Sequence, residues 1–219
     1  MNRVPLKASL SLWSADLTNL EAELRRSEPY ADLYHIDVSD GTYAEALLFF
    51  PDLVAAIRKK TDKPLEVHLI TEQPQRWVRP FAEAGADYIL FYPDTVDNPQ
   101  AMIEAIRAAG CKPGMALAVE NPAHLVAECA QQLAIVCVLG TDFGVKGVKD
   151  IAPGTYEKIV ALAKMRAARA GDFEIEADGA IRRHTVPRLR AAGADIIVPG
   201  SLMFGDDMAE TSAWIKSLE

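Results

Sequence analysis

The sequence has no apolar run approaching the roughly 18 to 20 residues that cross a bilayer, so no membrane span is expected. Its opening stretch, MNRVPLKASLSLWSADL, holds neither a long apolar segment nor a small-residue cleavage site, which predicts no export signal. Cysteine is scarce. Cys111, Cys129 and Cys137 are odd in number and lack CxxC spacing, which argues against a disulfide framework and fits buried thiols of a reduced, cytoplasmic protein. Positive charge is in deficit, with 23 Lys and Arg against 31 Asp and Glu and a net charge of −8. That balance speaks against nucleic acid or an anionic membrane as partner. It leaves room for a small anionic substrate, which needs only a local positive environment. Histidine is also rare, at four residues, so the position of each carries weight.

What is present is a globular composition. Half of the 219 residues are apolar and a quarter are charged, which suits one domain over 1–219; no linker or charge block marks a second. Short apolar runs at 7–10, 33–38, 65–69, 88–92, 113–118, 133–139, 173–177 and 196–198 read as strands. Between them, amphipathic spacing predicts helices over 17–26, 51–60, 76–84, 99–109, 123–131, 156–170, 185–192 and 206–218. Strands that are nearly all apolar and separated by helices imply a parallel sheet covered by helices. Eight such units at about 27 residues each predict an eight-fold β/α (TIM) barrel of compact size. The first strand ends in SLSLWSADL without glycine, unlike the glycine-rich first turn of a doubly wound sheet. A weak repeat supports the barrel: EAGADYIL, AAGCKPGMA and AAGADIIV each place glycine after a helix and before a strand.

In such barrels the chemistry sits at the C-terminal ends of the strands. The second run, LYHIDVSDG, carries His35 and Asp37 two residues apart, hence on one face. The third, LEVHL, contributes His68, and the seventh, FEIEADG, ends in Asp178. Taken singly, a strand histidine is ordinarily a hydrogen-bonded core residue, and Asp-Gly is ordinary turn chemistry. Together, His35, Asp37, His68 and Asp178 form a ligand set for a divalent metal, Zn²⁺ foremost, with Mn²⁺ or Fe²⁺ as other candidates. His124 and His184 fall at expected helix starts and read as surface residues.

These residues carry a resemblance. ASLSLWSADL, HIDVSDG, LEVHLI, EIEADGAI and VPGSLMFG resemble, in order and over nearly the whole chain, the signatures of the ribulose-phosphate 3-epimerase family. The resemblance implies a metal-dependent epimerase acting on a phosphorylated ketose, and a dimer or hexamer, so a homo-oligomer. It places the metal on His35, Asp37, His68 and Asp178 and makes Asp37 and Asp178 the acid/base pair. It sets Ser11 and His68 against the substrate, and Gly179, Gly200 and Ser201 around the phosphate. Gly144 and Gly147 follow loosely from the sixth-strand loop. The chemistry is consistent with those roles. Epimerisation beside a carbonyl needs a base on one face and an acid on the other, and a cation stabilises the enediolate between them. Backbone N–H groups where a helix begins hold phosphate without any net charge.

The sequence also departs from the family pattern. Ser39 and Ile70 stand where methionines that line the sugar pocket are usual, Tyr92 where a histidine is usual, and Ala180 where a second glycine follows D-G. The loop at 140–149 reads GTDFGVKGVK in place of N-P-G-F-G-G-Q, and brings Lys146 near the expected phosphate; Arg182 and Arg183 follow Ala180. All four ligands remain while the pocket and loop change, so the expectation is epimerase chemistry, first on D-ribulose 5-phosphate to give D-xylulose 5-phosphate, and alternatively on another ketose phosphate such as a tetrulose or hexulose phosphate. A decarboxylase or aldol-type lyase of the orotidine-phosphate decarboxylase group needs a D-x-K-x-x-D array. Asp37 and Asp40 are present here, but no lysine lies between them. The paired aspartates argue against a catalytically silent sugar-phosphate-binding protein.

Overall fold

A computed structural model describes residues 4–168, 170–205 and 207–218. Expected helix positions 169 and 206, and the first three and last residues of the chain, lie outside them. Eight parallel strands close into a barrel in chain order: β1 (Lys7–Ser11), β2 (Leu33–Ser39), β3 (Leu65–Ile70), β4 (Tyr88–Phe91), β5 (Lys112–Leu117), β6 (Ile135–Leu139), β7 (Glu174–Asp178) and β8 (Ile196–Ile197). Helices α1 (Leu20–Ser27), α2 (Pro51–Arg58), α3 (Val78–Glu83), α4 (Pro99–Ala108), α5 (Thr155–Ala167) and α6 (Val186–Ala192) connect them. The short α7 (Ser201–Phe204) follows β8, and α8 (Met208–Lys216) closes the outer ring.

Strand alternation divides the core into two layers. Tyr34, Ile36, Val67, Leu69, Ile89, Phe91, Val136, Val138 and Ile175 face outward into the apolar layer beneath the helices. Leu90, Tyr92, Ala116, Ile135, Cys137, Leu139 and Ile196 face inward and fill the barrel. The inward faces of β2, β3 and β7 break this apolar rule with His35, Asp37, Glu66, His68, Glu176 and Asp178. Register stacks them: His35 is level with Glu66, and Asp37 with His68.

Helix starts follow the expected chemistry. Asn98 caps α4 by accepting from the Ala101 N–H, with Pro99 in the first turn, and Asp207 caps α8 through Glu210 N–H. One expected helix is not there. Residues 123–131 form two 3-10 turns, Ala123–Val126 and Ala130–Gln132. Buried residues Val126 and Cys129 of this segment are three apart, a spacing that a 3-10 turn satisfies as well as an α-helix does. Conversely, α7 is an extra element, four residues too short to show helical periodicity. All three cysteines are buried and free, and no helix of the described residues is long and apolar enough to cross a membrane.

Candidate active site

The C-terminal mouth of the barrel opens into a cavity of about 220 Å³. Its wall includes Ser11, Asp37, His68, Ile70, Gly144, Gly147, Asp178, Gly179, Gly200 and Ser201. His35 lies beneath the floor, wholly buried. The structure thus brings the expected metal, substrate and phosphate residues together at one end of the barrel. His124 and His184 are exposed and far from it in role.

Four donor atoms converge at the floor. His35 Nε2 is 3.1 Å from Asp37 Oδ1, 3.2 Å from His68 Nδ1 and 3.8 Å from Asp178 Oδ2. His68 Nδ1 is 3.5 Å from Asp37 Oδ1. Each donor is aimed by a partner on its far side. His35 Nδ1 meets Glu66 Oε1 at 2.5 Å, His68 Nε2 meets the Tyr92 hydroxyl at 2.7 Å, and the Ser11 hydroxyl donates to Asp37 Oδ2 at 3.2 Å. Asp178 Oδ1 accepts from Gly179 N–H at 2.7 Å, which leaves Oδ2 turned inward.

The two aspartates ionise differently. Burial works against a charged carboxylate at both. At Asp37 the rings of His35 and His68 outweigh it, and the carboxyl ionises well below its usual range. At Asp178 burial prevails over those rings and is aided by the charge on Asp37, so its pKa is raised. Burial likewise opposes a charged His35, but Asp37 and Glu66 on its two nitrogens raise its pKa well above the usual value. This floor therefore calls for a positive charge among its donors.

The donor set fits a metal ion. A tetrahedral Zn²⁺ with bonds of 2.0–2.1 Å separates its ligand atoms by about 3.3 Å, and the donor separations here fall around that value. Glu66 takes the Nδ1–H of His35, an outer partner typical of metal-bound histidine.

The rim is shaped by close backbone approach. Gly179 has φ +87°, and a β-carbon there would sit 2.5 Å from Thr141 Oγ1. A β-carbon on Gly200 would sit 2.3 Å from Ser14 Oγ. Ala180, next in line, holds φ 52° with a side chain, in the left-handed region that glycine favours. The long loop after β6 is laced near its middle. Lys146 Nζ donates to the Trp13 carbonyl at 2.6 Å and lies 4.3 Å over the Trp13 ring, while Arg182 Nη2 donates to Val148 O at 2.8 Å. Arg183 turns outward, to Glu210 and over Trp214. Asp40 is structural: it accepts from the N–H groups of Thr42, Tyr43 and Glu72. Ser39 does not line the cavity. Its hydroxyl is buried without a hydrogen-bond partner, whereas Ile70 does reach the wall.

Glu66 and Glu176 are residues beside the site that the sequence reading passed over, and Tyr92, noted there only as a departure from the family's histidine, turns out to touch His68. The signal for the first two was present: Glu66 stands two before His68, and Glu176 two before Asp178, so both share an inward face with a candidate ligand.

A sequence description of the ribulose-phosphate 3 epimerase family matches residues 7–204. The ribulose-phosphate 3-epimerase of Treponema pallidum (strain Nichols) is 34% identical over 195 residues, covering 89% of each chain. That of Bacillus subtilis (strain 168) is 33% identical over 202 residues, covering 91% of this chain and 93% of its own. Among solved structures, a 3-hexulose-6-phosphate synthase superposes with a TM-score of 0.63 at 16% identity, over 98% of this chain and 99% of its own. The tryptophan synthase α-subunit of Pyrococcus furiosus gives 0.62 at 17% identity, over 98% and 95%. These two likenesses show the barrel fold alone. The match along nearly the whole sequence says more: the chain belongs to the ribulose-phosphate 3 epimerase family.

Proposed function

We propose that this epimerase inverts C3 of D-ribulose 5-phosphate to give D-xylulose 5-phosphate, with a divalent metal, Zn²⁺ foremost, held by His35, Asp37, His68 and Asp178. The observation that carries the reading is the convergence of two imidazole nitrogens and two carboxylate oxygens at metal-ligand spacing on the floor of the cavity. A divalent cation held by these four residues would supply Lewis-acid stabilisation of the negative charge that develops when the C3 proton leaves.

The chain's own residues do the rest. Asp37, ionised, takes the C3 proton; the C3–H electrons move into the C2 carbonyl to give an enediolate. Asp178, reaching the floor from β7 opposite β2, returns a proton to the opposite face of C3. The Ser11 hydroxyl fixes the free oxygen of Asp37. Backbone N–H groups around Gly179, Gly200 and Ser201, with Gly144 and Gly147 across the cavity, receive the phosphate. Lys146 adds positive charge on that wall.

Incubation with ribulose 5-phosphate in D₂O tests the reading. Deuterium should enter C3 as xylulose 5-phosphate forms, and the purified protein should carry stoichiometric divalent metal. Exchange with a tetrulose or hexulose phosphate, and none with the pentulose, moves the assignment to those substrates. No exchange with any ketose phosphate overturns it.

A further inference from the structure

Tyr92 follows β4 directly and stands where the family pattern has a histidine. It is completely buried, and its hydroxyl lies 2.7 Å from His68 Nε2. That nitrogen points away from the donor set; Nδ1 of the same ring faces it, 3.2 Å from His35 Nε2 and 3.5 Å from Asp37 Oδ1. A neutral imidazole carries one N–H, and the partner of one nitrogen decides where that proton sits. A phenol hydroxyl can donate to Nε2 or accept from Nε2–H; with a cation on Nδ1 the ring proton sits on Nε2, and the Tyr92 oxygen at 2.7 Å is then its acceptor. Glu66 does the mirror task for His35, drawing the proton to Nδ1 and exposing Nε2.

We infer that Tyr92 is a positioning residue for cation binding: its hydroxyl holds His68 in the Nε2–H form, so that Nδ1 serves as a ligand. The inference rests on the metal reading above. It concerns the hydroxyl and not the ring, because packing fixes the ring separately. The ring lies 5.3 Å from that of Tyr43 and 5.0 Å, edge to face, from that of Phe143, among the inward residues Leu90, Ala116 and Leu139. Since neither Tyr92 nor His68 is open to solvent, water has no ready path to replace the lost oxygen. Loss of outer partners of this kind typically weakens metal affinity about 10- to 100-fold.

The experiment compares wild type with Y92F. Each protein is stripped of metal and titrated with Zn²⁺ against a chromophoric chelator, and the His68 ring is followed by long-range ¹H–¹⁵N spectra. Y92F should bind Zn²⁺ about 10- to 100-fold more weakly, with the His68 proton no longer confined to Nε2. E66Q should also weaken binding, but through His35, leaving the His68 ring signals in place. Equal affinity of Y92F and wild type overturns the inference. So does a loss of affinity in Y92F with the His68 tautomer unchanged. A wild-type protein that takes up no divalent cation fails earlier and differently, because it removes the metal reading itself.

Discussion

At the scale of single residues, Asp37 and Asp178 have the same chemistry and opposite surroundings. Asp37 sits level with His68 on paired strands, with His35 Nε2 3.1 Å away. Asp178 comes from the far strand β7 and keeps 21% of its side chain accessible. We predict that D178N lowers turnover by about 10²- to 10⁴-fold, the usual contribution of a proton-transfer group. Phosphate-analogue binding, followed by calorimetry, should largely survive. Ala180 offers a test of a different kind. Its φ of 52° costs about 1 kcal/mol that glycine would not incur. A180G should therefore raise the midpoint of denaturant unfolding at unchanged slope. That gain is partly offset by the greater freedom of glycine in the unfolded chain.

At the scale of elements, the loops around the mouth are held by few, identifiable bonds. Asp40 gathers the N–H groups of Thr42 and Tyr43 after β2 and of Glu72 after β3. D40A should cost about 1 kcal/mol or more in chemical unfolding and raise KM more than it lowers kcat. The Lys146 contact with Trp13 ties the loop after β6 to the end of β1. K146A should speed proteolysis of that loop while leaving the melting temperature nearly unchanged, because the bond is exposed.

The same scale explains what was legible in the sequence. All eight strands were, because a parallel strand buried on both faces is a compact apolar run between helical stretches. The segment at 123–131 has helical spacing but folds as two 3-10 turns, since an apolar spacing of three residues suits either helix type. The helix α7 escaped notice because four residues hold no period. Of the site, His35, Asp37, His68 and Asp178 were legible because a polar residue at the end of an apolar strand is conspicuous. Tyr92 was legible only as a departure from the family's histidine; its 2.7 Å approach to His68 was not, because a contact between strands is not written in either strand's sequence.

At the scale of the whole molecule, the donor set draws on β2, β3 and β7, so a bound cation would link distant parts of the chain. A ligand that binds the folded state alone stabilises it by about 2.7 kcal/mol at 100 times its Kd. Stripping divalent metal should therefore lower the melting temperature, and adding Zn²⁺ back should restore it. Differential scanning calorimetry reads both directions.

The barrel is not sealed evenly. β2 and β3 pair from Tyr34–Leu65 through Ser39–Ile70, the seam that carries His35, Asp37 and His68. β8 contributes only Ile196 and Ile197, and joins β7 and β1 through those two residues. In the language of amide exchange, the β2–β3 seam should open only with the whole fold, while β8 opens through smaller, more frequent excursions. Asp37 and both histidines would then belong to the slowest-exchanging half of the molecule. Asp178 borders the fastest, so of the four residues that converge at the floor it is the one whose position the thermal breathing of the barrel reaches first.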